Sequence, residues 1–80
     1  MLNDDEGKIK KWLNKSGNFT HMLVICDTFD YENYPVYITS NEDVEKMIER
    51  YSVNMQKVLE VYNFKMNIDY QLSQFKSWNI

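Results

Sequence analysis

Thr20-His21-Met22-Leu23-Val24-Ile25-Cys26-Asp27-Thr28 is the stretch on which the fold turns. Its centre, residues 22–26, is apolar without interruption, too short for a typical helix and rich in strand formers. A strand with continuous rather than alternating apolar character has both faces covered. Asp30-Tyr31-Glu32-Asn33 then reads as a turn, and Tyr34-Pro35-Val36-Tyr37-Ile38-Thr39 resumes strand character. The two runs form a β-hairpin. Pro35 has no N–H to give to a ladder, which places the second strand at a sheet edge.

Upstream, Ile9, Trp12 and Leu13 share one helical face, and Asp4, Asp5 and Glu6 precede Lys8, Lys10, Lys11 and Lys15, a charge order that suits the helix dipole. This predicts a short helix over residues 4–15, weakened at Gly7 and stopped by Gly17. Downstream, Ser40-Asn41-Glu42-Asp43 approaches a capping box, with Ser40 as the cap and Asp43 three residues on. Val44, Ile48, Tyr51, Met55, Val58 and Tyr62 recur at spacings of four and three, with Met47, Leu59 and Val61 widening the stripe. That spacing predicts a long amphipathic helix over residues 41–62 as the main partner of the hairpin. Truncating Leu59 to Ala in such a stripe would cost roughly 2–5 kcal/mol. The last segment fits two readings. Asn67 as a cap favours a helix over residues 68–77, whereas the alternation of Phe64, Met66, Ile68 and Tyr70 allows a third strand over 64–70, which would also cover the first. The fold class is therefore α+β, a hairpin or three-stranded sheet packed against a long helix, in one domain spanning residues 1–80.

Composition narrows the setting. The chain is 44% hydrophobic and 15% aromatic, enough to fold, but a core from 80 residues is marginal and would gain from homo-oligomerisation. The single cysteine, Cys26, cannot close an internal disulfide, which suits a reducing compartment; the acidic start of the chain is unlike a signal peptide, and no apolar run reaches the roughly 20 residues of a membrane span. A cytoplasmic protein without membrane contact is expected. Alanine is absent while Asn, Lys, Ile and Tyr abound, a pattern of AT-rich coding such as that of a phage of a low-GC host.

Charge is segregated. From His21 to Glu45 there are six acids and no Lys or Arg, interleaved with Phe29, Tyr31, Tyr34 and Tyr37. Direct nucleic-acid binding, which pairs aromatics with a basic patch, is disfavoured. His21 and Cys26, five residues apart on a strand, point to opposite faces and cannot form a thiol dyad; Cys26 is expected to be a buried structural residue. One histidine cannot supply a zinc site of several histidines, and Asp27, Asp30 and Glu32 match no calcium loop, so no metal and no cofactor are expected. No Gly-rich phosphate loop, G-x-S-x-G or H-E-x-x-H motif occurs.

Residues 20–37, from Thr20-His21-Met22 through Cys26-Asp27-Thr28-Phe29-Asp30-Tyr31-Glu32 to Tyr34-Pro35-Val36-Tyr37, resemble a signature of small uncharacterised proteins scattered through phages and bacteria. The resemblance covers about a quarter of the chain closely and implies no catalytic or binding role. What it implies is a phage or mobile-element accessory protein.

These readings converge on a non-catalytic binding protein, a phage-borne accessory or anti-defence factor that sequesters a nucleotide-like signal or blocks a host defence protein. The expected ligand site comprises His21, Asp27, Phe29, Asp30, Tyr34 and Tyr37, with Arg50 as a candidate phosphate partner, because acids suit ribose hydroxyls or base amino groups but repel phosphates. The competing expectation is a minimal metal- or acid/base-dependent hydrolase or lyase using Asp27, Asp30 and His21. Its difficulty is distance, since six residues of strand separate His21 from Asp27 by about 20 Å.

Overall fold

The structure is a computed structural model that describes residues 3–15 and 17–80, with side chains described from Gly7 onward. The chain runs α1 (Asn3–Leu13), β1 (Phe19–Asp27), β2 (Glu32–Thr39), α2 (Val44–Arg50), β3 (Gln56–Asn63) and α3 (Ile68–Ser73). The acids expected to favour the start of α1 lie outside the described side chains. The strands form an antiparallel sheet in the order β2-β1-β3. The apolar stretch at residues 22–26 thus lies on the central strand.

Alternation along β1 feeds two cores. Met22 and Val24 join Ile9, Leu13 and Tyr62 on one face, with Trp12, Ile68 and Leu72 against them, so α1 and α3 cover that side. Leu23 and Ile25 join Ile38, Val58 and Val61 on the other, beneath Val44, Met47 and Ile48 of α2. All four of these β1 side chains are fully buried, as a run with both faces covered requires. Pro35 pairs with Val24 on β2, an edge strand as expected.

The long helix is corrected. The helix ends at Arg50 after seven residues, and residues 56–63 form the third strand. Ser52-Val53-Asn54 are poor helix formers, and Asn54 and Met55 both take left-handed backbone (φ 56° and 65°), which reverses the chain toward β3. The cap also shifts. Asp43 caps α2, accepting from the N–H groups of Glu45 (2.9 Å) and Lys46 (3.2 Å), while Glu42 accepts from the backbone and hydroxyl of Thr39. The stripe is accordingly no single helix face, because its residues are divided among α2, the turn that follows it and β3.

A β-bulge explains the false period. Val24 pairs with Glu60 but Ile25 pairs with Val58, so Leu59 is an extra residue on β3. Val58 and Val61 then lie in one core and Leu59 and Tyr62 in the other. A bulged strand has reproduced the three-residue spacing of a helix.

The C-terminal segment resolves as a short α3 capped by Asn67, whose Oδ1 accepts from Tyr70 N–H (2.9 Å). Beyond it the chain turns back and pairs in parallel with β3. Val61 N–H donates to Ser77 O (2.9 Å), and Asn79 N–H donates to Val61 O (3.0 Å). At Gly17, after α1, the backbone has φ +154° and a Cβ would run into the Phe19 ring. Among the described residues no helix is long and apolar enough to cross a membrane.

Candidate functional site

The expected site residues divide between the two ends of β1. Asp27, Phe29 and Asp30 lie at the hairpin end, and Tyr34 belongs to the same end through Gln56, whose Nε2 donates to its hydroxyl (2.6 Å). Arg50 closes α2, next to Tyr51, whose field reaches Tyr34. Tyr37 packs on the opposite face, stacked against Phe19 with ring centroids 4.8 Å apart and beneath Lys15. His21 sits at the far end of β1.

Several polar groups of the expected site are committed to the fold. Asp27 Oδ1 accepts from the N–H groups of Phe29 (2.9 Å) and Asp30 (3.4 Å), folding the turn that the chain needs between its strands. The Tyr37 hydroxyl donates to Trp12 O (2.7 Å) and anchors α1. Burial raises the Tyr34 phenol above its ordinary value, with Tyr51 and Asp27 adding to the effect, and burial raises that of Tyr37. Both hydroxyls stay protonated donors at neutral pH. Cys26 is half-buried on the central strand. Among the described residues no three His, Cys, Asp or Glu side chains gather to hold a metal ion.

Large apolar side chains stand open at this end beside the exposed Asp30, Glu32, Ser52 and Asn54. Phe29 is 70% exposed and Tyr31 82%, and in the neighbouring turn Val53 is 52% and Met55 58% exposed. The turns are joined by Thr28, whose N–H (2.7 Å) and hydroxyl (2.8 Å) both donate to Met55 O. Every non-glycine residue with positive φ among those described, Tyr31, Asn54 and Met55, lies in these two turns. Such conformations cost free energy and persist where the surroundings hold them. Val53 and Met55 were hidden from sequence reading by their assignment to a helix; Asn54, tolerant of left-handed backbone, was the available signal.

At the far end, the Thr20 hydroxyl donates to Ile38 O (3.3 Å), so its oxygen accepts from His21 Nδ1–H (2.9 Å). This chain of bonds selects the Nδ1–H tautomer. Nε2 is then a bare acceptor, buried and without a partner among the described residues. Desolvation, then the charge of Lys65, lowers the His21 pKa below its ordinary 6.5. In the window just below 6.5 the unfolded chain therefore binds more protons than the folded one, and stability must fall as pH drops through it. Urea unfolding at pH 7.5 and 5.5 should show this loss in the native sequence and a weaker one in His21→Asn; equal pH dependence in both would assign it elsewhere.

Comparison with protein-family models, curated proteins and solved structures finds no match. The fold and the surface chemistry therefore carry the functional reading.

Proposed function

We propose that this protein is a non-catalytic binding module that docks a basic, apolar segment of another protein through its hairpin end. The observation that carries the reading is the pair of joined turns presenting Phe29, Tyr31, Val53 and Met55 to solvent. Turns of this kind are ordinarily polar, and large side chains held outward on left-handed backbone serve contact better than folding. Asp30 and Glu32 border them, within a stretch of 25 residues that has no Lys or Arg. Charge complementarity thus favours a partner bearing Lys or Arg beside aliphatic side chains.

Blocking a protein of a host defence system is the role that fits the phage resemblance, and it forms part of the proposal. The hydrolase alternative gains no support from the geometry, since the chain does not bring His21 back to Asp27 and Asp30. Sequestering a nucleotide at the hairpin is likewise less favoured, because Asp27 Oδ1 holds the turn, the Tyr37 hydroxyl donates to Trp12 O on the other face, and His21 lies at the far end of β1.

The test is a displayed random-peptide selection against the protein and against a Phe29→Ser/Tyr31→Asn variant. Both side chains are mostly exposed, and Asn accepts the backbone of Tyr31, so the variant should melt close to the native chain. The native protein is expected to enrich peptides that join Lys or Arg with Leu, Ile or Val, and the variant to lose them. Enrichment of the same peptides by both proteins, or of none by the native one, would refute the reading.

A further inference from the structure

Glu60 is the one acid buried in the described molecule, 4% exposed, and it stands away from the hairpin surface. Its two oxygens each accept one hydrogen bond, from the Tyr62 hydroxyl (3.1 Å) and from Ser77 N–H (3.0 Å). No Lys, Arg or His lies within ion-pair distance of it among the described residues, and Lys76, next to Ser77 in the chain, sits over the Trp78 ring at 5.3 Å. A buried carboxylate is costly unless a cation or a full set of donors compensates it. Two donors leave about half of its acceptor capacity unused.

The same carboxylate lines a cleft of about 430 Å³ together with Ile9, Tyr62, Leu72, Gln74 and Phe75. This is a size that accommodates small ligands. Phe75, on the rim, is 95% exposed and contributes nothing to the core. Aromatic faces attract cations, and the attraction grows where water is excluded.

From this combination we infer that the cleft between α1, β3 and α3 is a binding site for a small organic ammonium ion. Its N–H groups donate to the free lone pairs of Glu60, its apolar body rests on Ile9 and Leu72, and Phe75 closes over it. The ligand supplies a positive charge that no described residue brings to Glu60. The site is independent of the hairpin surface and stands whether or not that surface binds a protein.

Phenethylammonium is the probe, with neutral phenethyl alcohol as its control, followed by amide chemical shifts in NMR titration. Shifts at Leu72, Ser73 and Gln74 are expected with the ammonium and not with the alcohol. Glu60→Gln keeps an acceptor while removing charge, and should weaken binding at least about tenfold, the size of a charge-assisted hydrogen bond. Phe75→Ala, at a side chain too exposed to unfold the protein, should weaken it about two- to fivefold. If Glu60→Gln does not fold, the Phe75→Ala and alcohol comparisons decide. The proposal is overturned if the ammonium produces no shifts at tens of millimolar, if the alcohol binds equally well, or if folded Glu60→Gln or Phe75→Ala binds it as the native protein does.

Discussion

Replacing Leu23 with alanine is expected to destabilise the protein by roughly 2–5 kcal/mol, much of what a domain of this size has to lose. Leu23 is fully buried at the centre of β1, between β2 and β3, and shares its core with Ile25, Ile38, Val58 and Val61 beneath α2. A truncation there leaves a cavity walled by two hydrogen-bonded strands, which have little freedom to collapse into it. Leu59→Ala, which the helical stripe would have ranked alongside it, should cost less, because Leu59 is the bulge residue and only partly buried. Chemical denaturation of the two variants tests the order. A Leu59 variant less stable than the Leu23 variant would mean that the core lies elsewhere than on the central strand.

The second large effect is expected at Gln71, a fully buried polar side chain of α3. Its Oε1 accepts from Asn63 N–H (2.7 Å), and its Nε2 donates to Asn63 O (2.8 Å) and Asn67 O (3.2 Å). The Ser77 hydroxyl in turn donates to its backbone carbonyl. Gln71 therefore clamps the end of β3, the cap of α3 and the returning C-terminal segment to one another. Gln71→Leu preserves approximate size but leaves groups on Asn63 without partners, at on the order of 1–3 kcal/mol for each one that water cannot reach. Hydrogen exchange should report the loss locally, with faster exchange at Asn63 and Val61 than at Met22 or Leu23. Uniform acceleration across the sheet, or none, would show that Gln71 does not act as a clamp.

The sequence was legible where one residue type has one physical consequence. The unbroken run at residues 22–26 announced a strand covered on both faces, Pro35 announced an edge, and Asn67 announced a cap; each stands in the structure. It misled where two structures share a period. The bulge at Leu59 put Val58 and Val61 on one face, which is also what a helix does, and Ser52-Val53-Asn54 was too weak a break to outweigh six matching positions. Extending the helix to residue 62 also hid Glu60, since an acid on a helix is ordinarily solvated, whereas on β3 it is buried and accepts from Ser77 N–H of the returning segment. The hairpin acids were visible in the sequence. That Asp27 folds a turn was not, whereas the opposite facing of Tyr34 and Tyr37, three residues apart on one strand, follows from strand alternation alone.

The order β2-β1-β3 also bears on how the chain is made. The central strand is synthesised first, and its partner on one side follows within a few residues, but the other side waits for residues 56–63. At the usual pace of translation that interval is about 2–6 seconds. During it, residues 22–25, the most apolar segment of the protein, offer a bare edge to neighbouring nascent chains. The acids clustered from Asp27 to Glu45 emerge in the same interval. Mutual repulsion among them would keep unfinished copies apart on a polysome until β3 closes the sheet.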